Sequence, residues 1–433
     1  MILYEHLDIN EQGHLTIGGM DTVELAEEYG TPAYILDEEV IRKNCQTYRK
    51  AAAEYFGADA LPLYASKALC FTEIYRIAAE EGMGIDCVSG GELYTAKRAG
   101  FPAERIYYHG NNKTDRDIRD AMDMGVGTFV VDNRDELLAL SEEAERRGKT
   151  QRILLRITPG IDPHTHRAIM TGNVDSKFGN AIVTGQAMAI VKEAIALKSI
   201  DLAGLHCHIG SQIFDIDPFS DAASIMIRFI AAIKEECGYE IRELNLGGGL
   251  GVRYTEYDRT IDYAAAIRDI AAVVTGYAKE HGIPMPRVIL EPGRSLVAAA
   301  GITLYTVGSV KEIPGFKNYI SVDGGMPDNP RYALYQSTYT ALIANRANEA
   351  RDYRATLAGR CCESGDLLGE DMEIQHAKRG DILAVLVTGA YNYSMASNYN
   401  RLPRPPVILV KNGQARVAVR RESYEDLVRN DLV

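Results

Sequence analysis

Residues 61–69 read Leu-Pro-Leu-Tyr-Ala-Ser-Lys-Ala-Leu. Apolar and β-forming residues run up to one lysine, Lys67, and the spacing of apolar residues then turns helical. The stretch reads as a strand that places an amine at its carboxyl end and passes into a helix. An amine approached through Tyr64, Ala65 and Ser66 is partly desolvated on this reading, which disfavours its ammonium form. A lysine of lowered pKa attacks carbonyls and forms Schiff bases. A surface lysine at a strand end has the same local sequence, so the stretch alone leaves both readings open.

The strand-then-helix texture repeats outward from it. Eight β-rich runs follow in order: Leu61–Ser66, Gly84–Val88, Arg105–His109, Gly127–Asp132, Arg152–Thr158, Leu202–Ile209, Ile241–Leu246 and Arg287–Leu290. Amphipathic helical patterns lie between them, as at Asp115–Met124, Arg134–Arg147 and Ile261–His281. Eight such units over roughly 230 residues predict a (β/α)8 barrel. The rival is an open doubly wound sheet, whose first turn would carry GxGxxG; that motif is missing after the first run. Upstream, residues 1–37 predict a short β segment, a helix from Thr22 to Tyr29 capped by Asp21, and a strand from Ala33 to Leu36. After Arg294 the texture changes. Ile302–Val310, Tyr319–Val322, Ile382–Leu386 and Pro406–Val410 carry β signals between Gly and Pro. The expected fold is α/β, with a TIM-like barrel over 38–290. A β domain of sandwich or barrel type is expected from 1–37 and 291–433, recruiting the N-terminal strand. The aromatic, turn-rich stretch Tyr391–Arg404 is expected to be an ordered loop.

At 433 residues the chain is too long for one core. The net charge of −13 argues against a nucleic-acid partner, which usually meets a basic footprint. The N-terminal stretch shows no positive region followed by an apolar one, so no secretory signal is expected. No apolar run approaches the length of a membrane span. The seven cysteines (45, 70, 87, 207, 237, 361 and 362) show no zinc spacing and are expected to be reduced thiols of a cytoplasmic protein.

In a barrel of this kind the active site lies at the carboxyl ends of the strands, and phosphate is often held after strands seven and eight. After the seventh run comes Gly247-Gly248-Gly249-Leu250-Gly251, and after the eighth Glu291-Pro292-Gly293-Arg294. Clustered glycines expose backbone N–H groups to an anion, or simply make a tight turn. The sixth run ends in His206-Cys207-His208-Ile209-Gly210-Ser211. His206 and His208 share a strand face. They could bind a metal, although no third ligand in step is apparent, pack in the core, or lie flat on an aromatic cofactor. Glu291, buried by context, needs a cationic partner, which a protonated pyridine nitrogen would supply. A lysine, phosphate loops, a flat ring and a buried carboxylate together match pyridoxal 5′-phosphate; no metal is expected.

The motifs YGTPAYILDE (29–38), YASKA (64–68), DCVSGGEL (86–93), YHGNNK (108–113), HCHIGSQ (206–212), LGGGLG (246–251), EPGR (291–294), PRYALY (330–335), CESGD (362–366), TGAY (388–391) and SNYN (397–400) span the chain. On these the sequence resembles the diaminopimelate decarboxylases, among the alanine-racemase-like (fold type III) pyridoxal-phosphate enzymes. The resemblance implies decarboxylation of meso-2,6-diaminopimelate to L-lysine in lysine biosynthesis. It implies that Lys67 carries the cofactor and His208 stacks on its ring. Ser211, Gly249 and the loop from Glu291 through Gly293 to Arg294 hold phosphate and pyridinium, with Glu291 at the ring nitrogen. Tyr391 also contacts the cofactor, and Asp86 is a plausible ring-side carboxylate or a satisfied strand-end one. Arg294, Arg331, Tyr335, Glu363 and Tyr391 are implied substrate contacts, and Cys362 the proton donor. A homodimer is implied in which the Cys362–Glu363 segment completes the neighbour's site. Tyr332 stands where the family commonly has proline, and Asn392 where it has glycine. Decarboxylases of other amino acids or of carboxynorspermidine, racemases, and non-catalytic cofactor-binding relatives remain as alternatives.

Overall fold

The computed structural model describes residues 2–161 and 175–432. The chain forms two compact units, one of residues 44–251 and 260–293, the other of 1–43, 252–259 and 294–433.

In the first unit, among the described residues, eight parallel strands close on themselves. They are β1 (Leu61–Ala65), β2 (Gly84–Cys87), β3 (Ile106–Tyr108), β4 (Thr128–Val131), β5 (Gln151–Thr158), β6 (Ile200–His206), β7 (Glu243–Asn245) and β8 (Arg287–Leu290). Leu61 of β1 pairs with Ile289 of β8, and Val130 of β4 with Leu154 of β5, which completes the ring. The strands read as unbroken apolar runs because helices cover one face and the barrel interior the other. Leu61, Leu63, Tyr107, Val130, Leu154, Ala203 and Ile289 fill that interior, all buried. The helices between strands start and stop where local chemistry dictates. Asp115–Met124 begins at Thr114, whose hydroxyl accepts from the N–H of Asp117 while the Asp117 carboxylate caps Thr114 in return. It ends at Gly125, which takes the left-handed conformation that suits glycine.

The second unit is built on Gly301–Ile313, a 13-residue strand long enough to serve two pairings. Ala33–Asp37 lies antiparallel to it on one side and parallel to Val407–Lys411 on the other. The N-terminal strand is thus an interior member of the sheet, as the sequence predicts. Lys317–Val322 and Ile382–Leu386 also pair with Gly301–Ile313. The expected helix Thr22–Tyr29 is present, with Asp21 accepting from Val23 N–H. The Tyr391–Arg404 stretch holds two short 3-10 turns, Tyr393–Met395 and Tyr399–Arg401. No helix among the described residues is long and apolar enough to cross a membrane.

Candidate active site

The carboxyl ends of β1, β2, β3, β5, β6 and β8 surround a cavity of about 370 Å³, within the ~300–1,000 Å³ usual for small-molecule sites. Lys67, Asp86, His208 and Glu291 all line it. A short 3-10 turn, Ser66–Ala68, follows β1 and carries Lys67. The turn is fixed by Ser66, whose hydroxyl donates to the carbonyl of Asp86. Lys67 is exposed at the cavity wall. The amine belongs to the cavity wall, not to the barrel interior.

Glu291 is buried beyond the end of β8. One carboxylate oxygen lies 2.8 Å from His109 Nε2 and accepts from Asn245 Nδ2 at 2.7 Å; the other lies 3.1 Å from His206 Nε2. Burial opposes its charge, but the two histidines facing it reverse the balance and hold it well below the usual carboxylate range. Burial pushes His206 down to about 4, so its ring is neutral and donates through Nε2. Burial raises Asp86, with His109 and Lys67 opposing and the Glu291 charge adding to the rise. Asp86 Oδ1 is buried with no hydrogen-bond partner among the described residues.

His109, His206 and Glu291 offer three ligand atoms close together, a set that includes His206 but not His208, the partner the sequence suggests for it. The arrangement suits a trapped carboxylate better than a cation. Each oxygen already faces a ring nitrogen at hydrogen-bond distance, Asn245 adds a further donor, and the Arg156 guanidinium lines the same cavity. Arg156 stacks 4.2 Å from the centre of the Phe178 ring and lies 3.9 Å from Asp132.

His208 also lines the cavity. Desolvation, with repulsion from Lys67 and Arg156, pushes it well below the usual histidine range. Its Nδ1 accepts from the N–H of Gly248 at 3.3 Å, which orients the ring. Two N–H groups of the glycine loop are engaged within the chain. Gly248 gives its N–H to His208 and Gly247 gives its own to Asn245, so neither is offered to an anion. Close packing is what requires glycine here. A Cβ on Gly248 would lie 2.1 Å from the carbonyl of Glu291, and one on Gly249 2.5 Å from that of Gly210. Gly293 is wedged against the turn carrying Lys67, 2.9 Å from Ala65 Cβ by the same test. Ser211 follows β6 in the segment that docks on this loop, where Ile213 N–H donates to Gly249 at 3.0 Å.

In the other unit Arg294, Arg331, Tyr335 and Tyr391 converge. The Arg294 and Arg331 guanidinium carbons lie 4.7 Å and 5.4 Å from the centre of the Tyr391 ring, and Arg331 lies 5.6 Å from that of Tyr335. Arg294 donates to the Tyr254 hydroxyl at 2.6 Å. Arg331 is buried, and its Nε has no hydrogen-bond partner among the described residues. Tyr391 adopts φ +61°, a left-handed conformation uncommon outside glycine. Asn392 behind it is fully buried and donates to the Thr388 carbonyl at 3.1 Å. Cys362 and Glu363 are not in this group. They lie exposed in the loop before Leu367–Ile374, where Cys362 N–H donates to Asn400 and Glu363 accepts from the Tyr399 hydroxyl. Burial and Asp366 push the neighbouring Cys361 thiol up to about 12, so it stays protonated.

The residues that fit pyridoxal 5′-phosphate are thus present in one cavity: a lysine at its wall, a buried carboxylate kept ionised by donors, and an unpaired Asp86 oxygen. Sequence reading passes over His109, Arg156, Phe178 and Asn245. For His109, Arg156 and Asn245 the only local signal is position at or near a strand end, and Phe178, well beyond β5, has none.

The neutral His206 has a consequence for stability. An unfolded histidine titrates near 6.5, so between that pH and about 4 the unfolded chain binds more protons and stability falls with pH. The thermal midpoint is expected to fall less steeply over this window in His206→Gln than in the parent. Equal slopes would show that His206 is not held neutral.

Comparison with known proteins places these features in a group. Residues 38–298 match the family described as pyridoxal-dependent decarboxylase, pyridoxal binding domain. The diaminopimelate decarboxylase of Halalkalibacterium halodurans is 50% identical over 98% of this chain and 96% of its own. That of Bacillus subtilis is 48% identical over 98% and 96%. Among solved structures, diaminopimelate decarboxylase from M. jannaschii in complex with L-lysine superposes with a TM-score of 0.91, at 37% identity, over 99% of this chain and 98% of that one.

Proposed function

The chain belongs to the diaminopimelate decarboxylase family, and from that premise we propose that it converts meso-2,6-diaminopimelate to L-lysine and carbon dioxide, the last step of lysine biosynthesis. The observation that carries the proposal is the buried Glu291 carboxylate, bonded to Asn245 and His206 and facing His109 Nε2 at 2.8 Å, in the cavity whose wall carries Lys67. Pyridoxal 5′-phosphate, when bound, supplies the electron sink for the carbon–carbon bond that breaks.

The chain's own residues divide the remaining work. Lys67 Nζ would hold the cofactor and give it up to the substrate amine. Glu291 keeps a proton on the ring nitrogen. His208, held neutral and oriented by Gly248, and Asp86 would hold the ring. Ser211, Gly249, Gly293 and Arg294 hold the phosphate, with Tyr391 as a further contact. Arg294, Arg331, Tyr335, Glu363 and Tyr391 recognise the substrate. Cys362 Sγ delivers a proton to the carbon that loses carbon dioxide. The active form is a homodimer in which Cys362 and Glu363 serve the site of the partner subunit; their exposure on a loop is compatible with that.

The direct test is carbon dioxide release by the cofactor-loaded protein from diaminopimelate, beside ornithine, arginine and carboxynorspermidine. Release from diaminopimelate is expected, and preference for another substrate would overturn the assignment. A subunit-mixing experiment tests the dimer. Lys67→Ala and Cys362→Ala chains are each expected to be inactive. Mixed, they are expected to regain activity, because the heterodimer holds one site with both residues intact. Failure to complement, with subunit exchange verified, would place Lys67 and Cys362 of one chain in the same site.

A further inference from the structure

The segment after β3 brings His109, Gly110, Asn111 and Asn112 to the cavity wall and ends at Lys113. Lys113 is a buried lysine, its side chain 1% exposed. Its Nζ donates to the Gly110 carbonyl at 3.0 Å, the Val130 carbonyl at 2.8 Å and Glu136 Oε1 at 2.7 Å. An ammonium has three protons, and these contacts use all of them. Glu136 is equally enclosed, at 3% exposed, and its second oxygen accepts from the N–H of Asp132 at 3.1 Å. One ion pair therefore ties the segment after β3 to β4 and to the first turn of the helix Arg134–Arg146.

Stability does not explain such a pair. Desolvating two charges offsets most of their attraction, and apolar side chains of the same volume often serve as well or better. Geometry does explain it. Gly110, pinned by Lys113, is the residue next to His109, and His109 Nε2 lies 2.8 Å from Glu291. The His109 ring also packs edge-on against His206, 4.9 Å between centres, so a shift in one moves the other. Asp132, whose N–H Glu136 accepts, lies 3.9 Å from Arg156 and receives the N–H of Gly179 at 3.0 Å. The pair thus anchors two parts of the cavity wall at once.

We propose that Lys113 and Glu136 are positioning residues: their buried ion pair sets His109 against Glu291 and so fixes the carboxylate that serves the reaction. The proposal rests on the role given above to Glu291. The test uses the cofactor-loaded enzyme carrying Lys113→Met with Glu136→Leu, which removes both charges and keeps the volume. Its thermal midpoint is expected to fall, because the Gly110 and Val130 carbonyls and the Asp132 N–H lose their partners, so turnover is read well below that midpoint, where KM is expected to change little. At saturating cofactor kcat is expected to fall roughly 10–100-fold, the scale of a misplacement of about 1 Å. Added to His109→Gln, the paired substitution is expected to cost little more, because both act through the same ring. Turnover within twofold of the parent, or losses that multiply with those of His109→Gln, would overturn the proposal. If the double variant does not fold, Glu136→Gln, which leaves Lys113 an acceptor without its charge, is read through the same cycle by the same criteria. A failure of the Glu291 role is separable, since it shows as normal turnover in Glu291→Gln whatever the paired variant does.

Discussion

Glu291→Gln is expected to keep its cofactor and lose turnover by roughly 10²–10³-fold, the range one preorganised electrostatic group supplies. The amide has the volume of the carboxylate, so the cavity keeps its shape. Its electrostatics do not survive. Glu291 accepts from Asn245 at 2.7 Å and faces two histidine nitrogens at 2.8 and 3.1 Å, with Asn245 and His206 as its donors. A glutamine brings one acceptor oxygen and turns two protons toward those donors. A neutral amide also no longer favours a proton on the cofactor's ring nitrogen, and the charge that develops as carbon dioxide leaves is less well accommodated. Turnover measured at full cofactor occupancy, followed by absorbance, checks this. Near-normal turnover at full occupancy would remove Glu291 from the role.

The contrast between Glu291 and its partners shows what a sequence reveals. Glu291 is legible because it ends an apolar run and opens EPGR, where a buried carboxylate demands a partner. Its partners are not legible, since His206 and Asn245 lie 85 and 46 residues away in the chain and only barrel closure brings them together. The barrel itself is legible because each strand is buried on both faces and reads as an apolar run between amphipathic helices. The helix Asp115–Met124 is legible to the residue because a capping box opens it and a glycine closes it. The glycine loop is legible as a special backbone, although the sequence leaves open whether an anion or close packing requires it. Its sequence invites an anion, whereas its N–H groups at 247 and 248 are taken by Asn245 and His208, and it is the approach of neighbouring backbone that excludes a Cβ. Lys67 is placed correctly at the end of β1, but its exposure depends on a three-residue 3-10 turn that apolar periodicity cannot resolve.

The largest effect is expected at the far end of the substrate. Catalytic efficiency on diaminopimelate is expected to exceed that on ornithine or lysine by roughly 10⁴–10⁵, the discrimination reached by sites built to hydrogen-bond a group that the competitor lacks. Diaminopimelate carries a second amino-acid group, with a carboxylate and an ammonium; ornithine and lysine end in an ammonium alone. Arg331 and Arg294 both stand against the Tyr391 ring, at 5.4 and 4.7 Å. Arg331 is buried with its Nε lacking a hydrogen-bond partner among the described residues, a donor left for a ligand to satisfy. A planar guanidinium offers a carboxylate two parallel hydrogen bonds, and it offers an ammonium only repulsion. Glu363, exposed on its loop, is the proposed acceptor for the distal ammonium in the proposed dimer. Arg331→Ala is therefore expected to raise KM for diaminopimelate steeply while leaving cofactor occupancy near that of the parent. Comparable efficiency on ornithine and diaminopimelate in the parent protein would overturn the substrate while leaving the roles of Lys67 and Glu291 standing. A loss of cofactor in Arg331→Ala would instead move Arg331 from substrate recognition to cofactor binding.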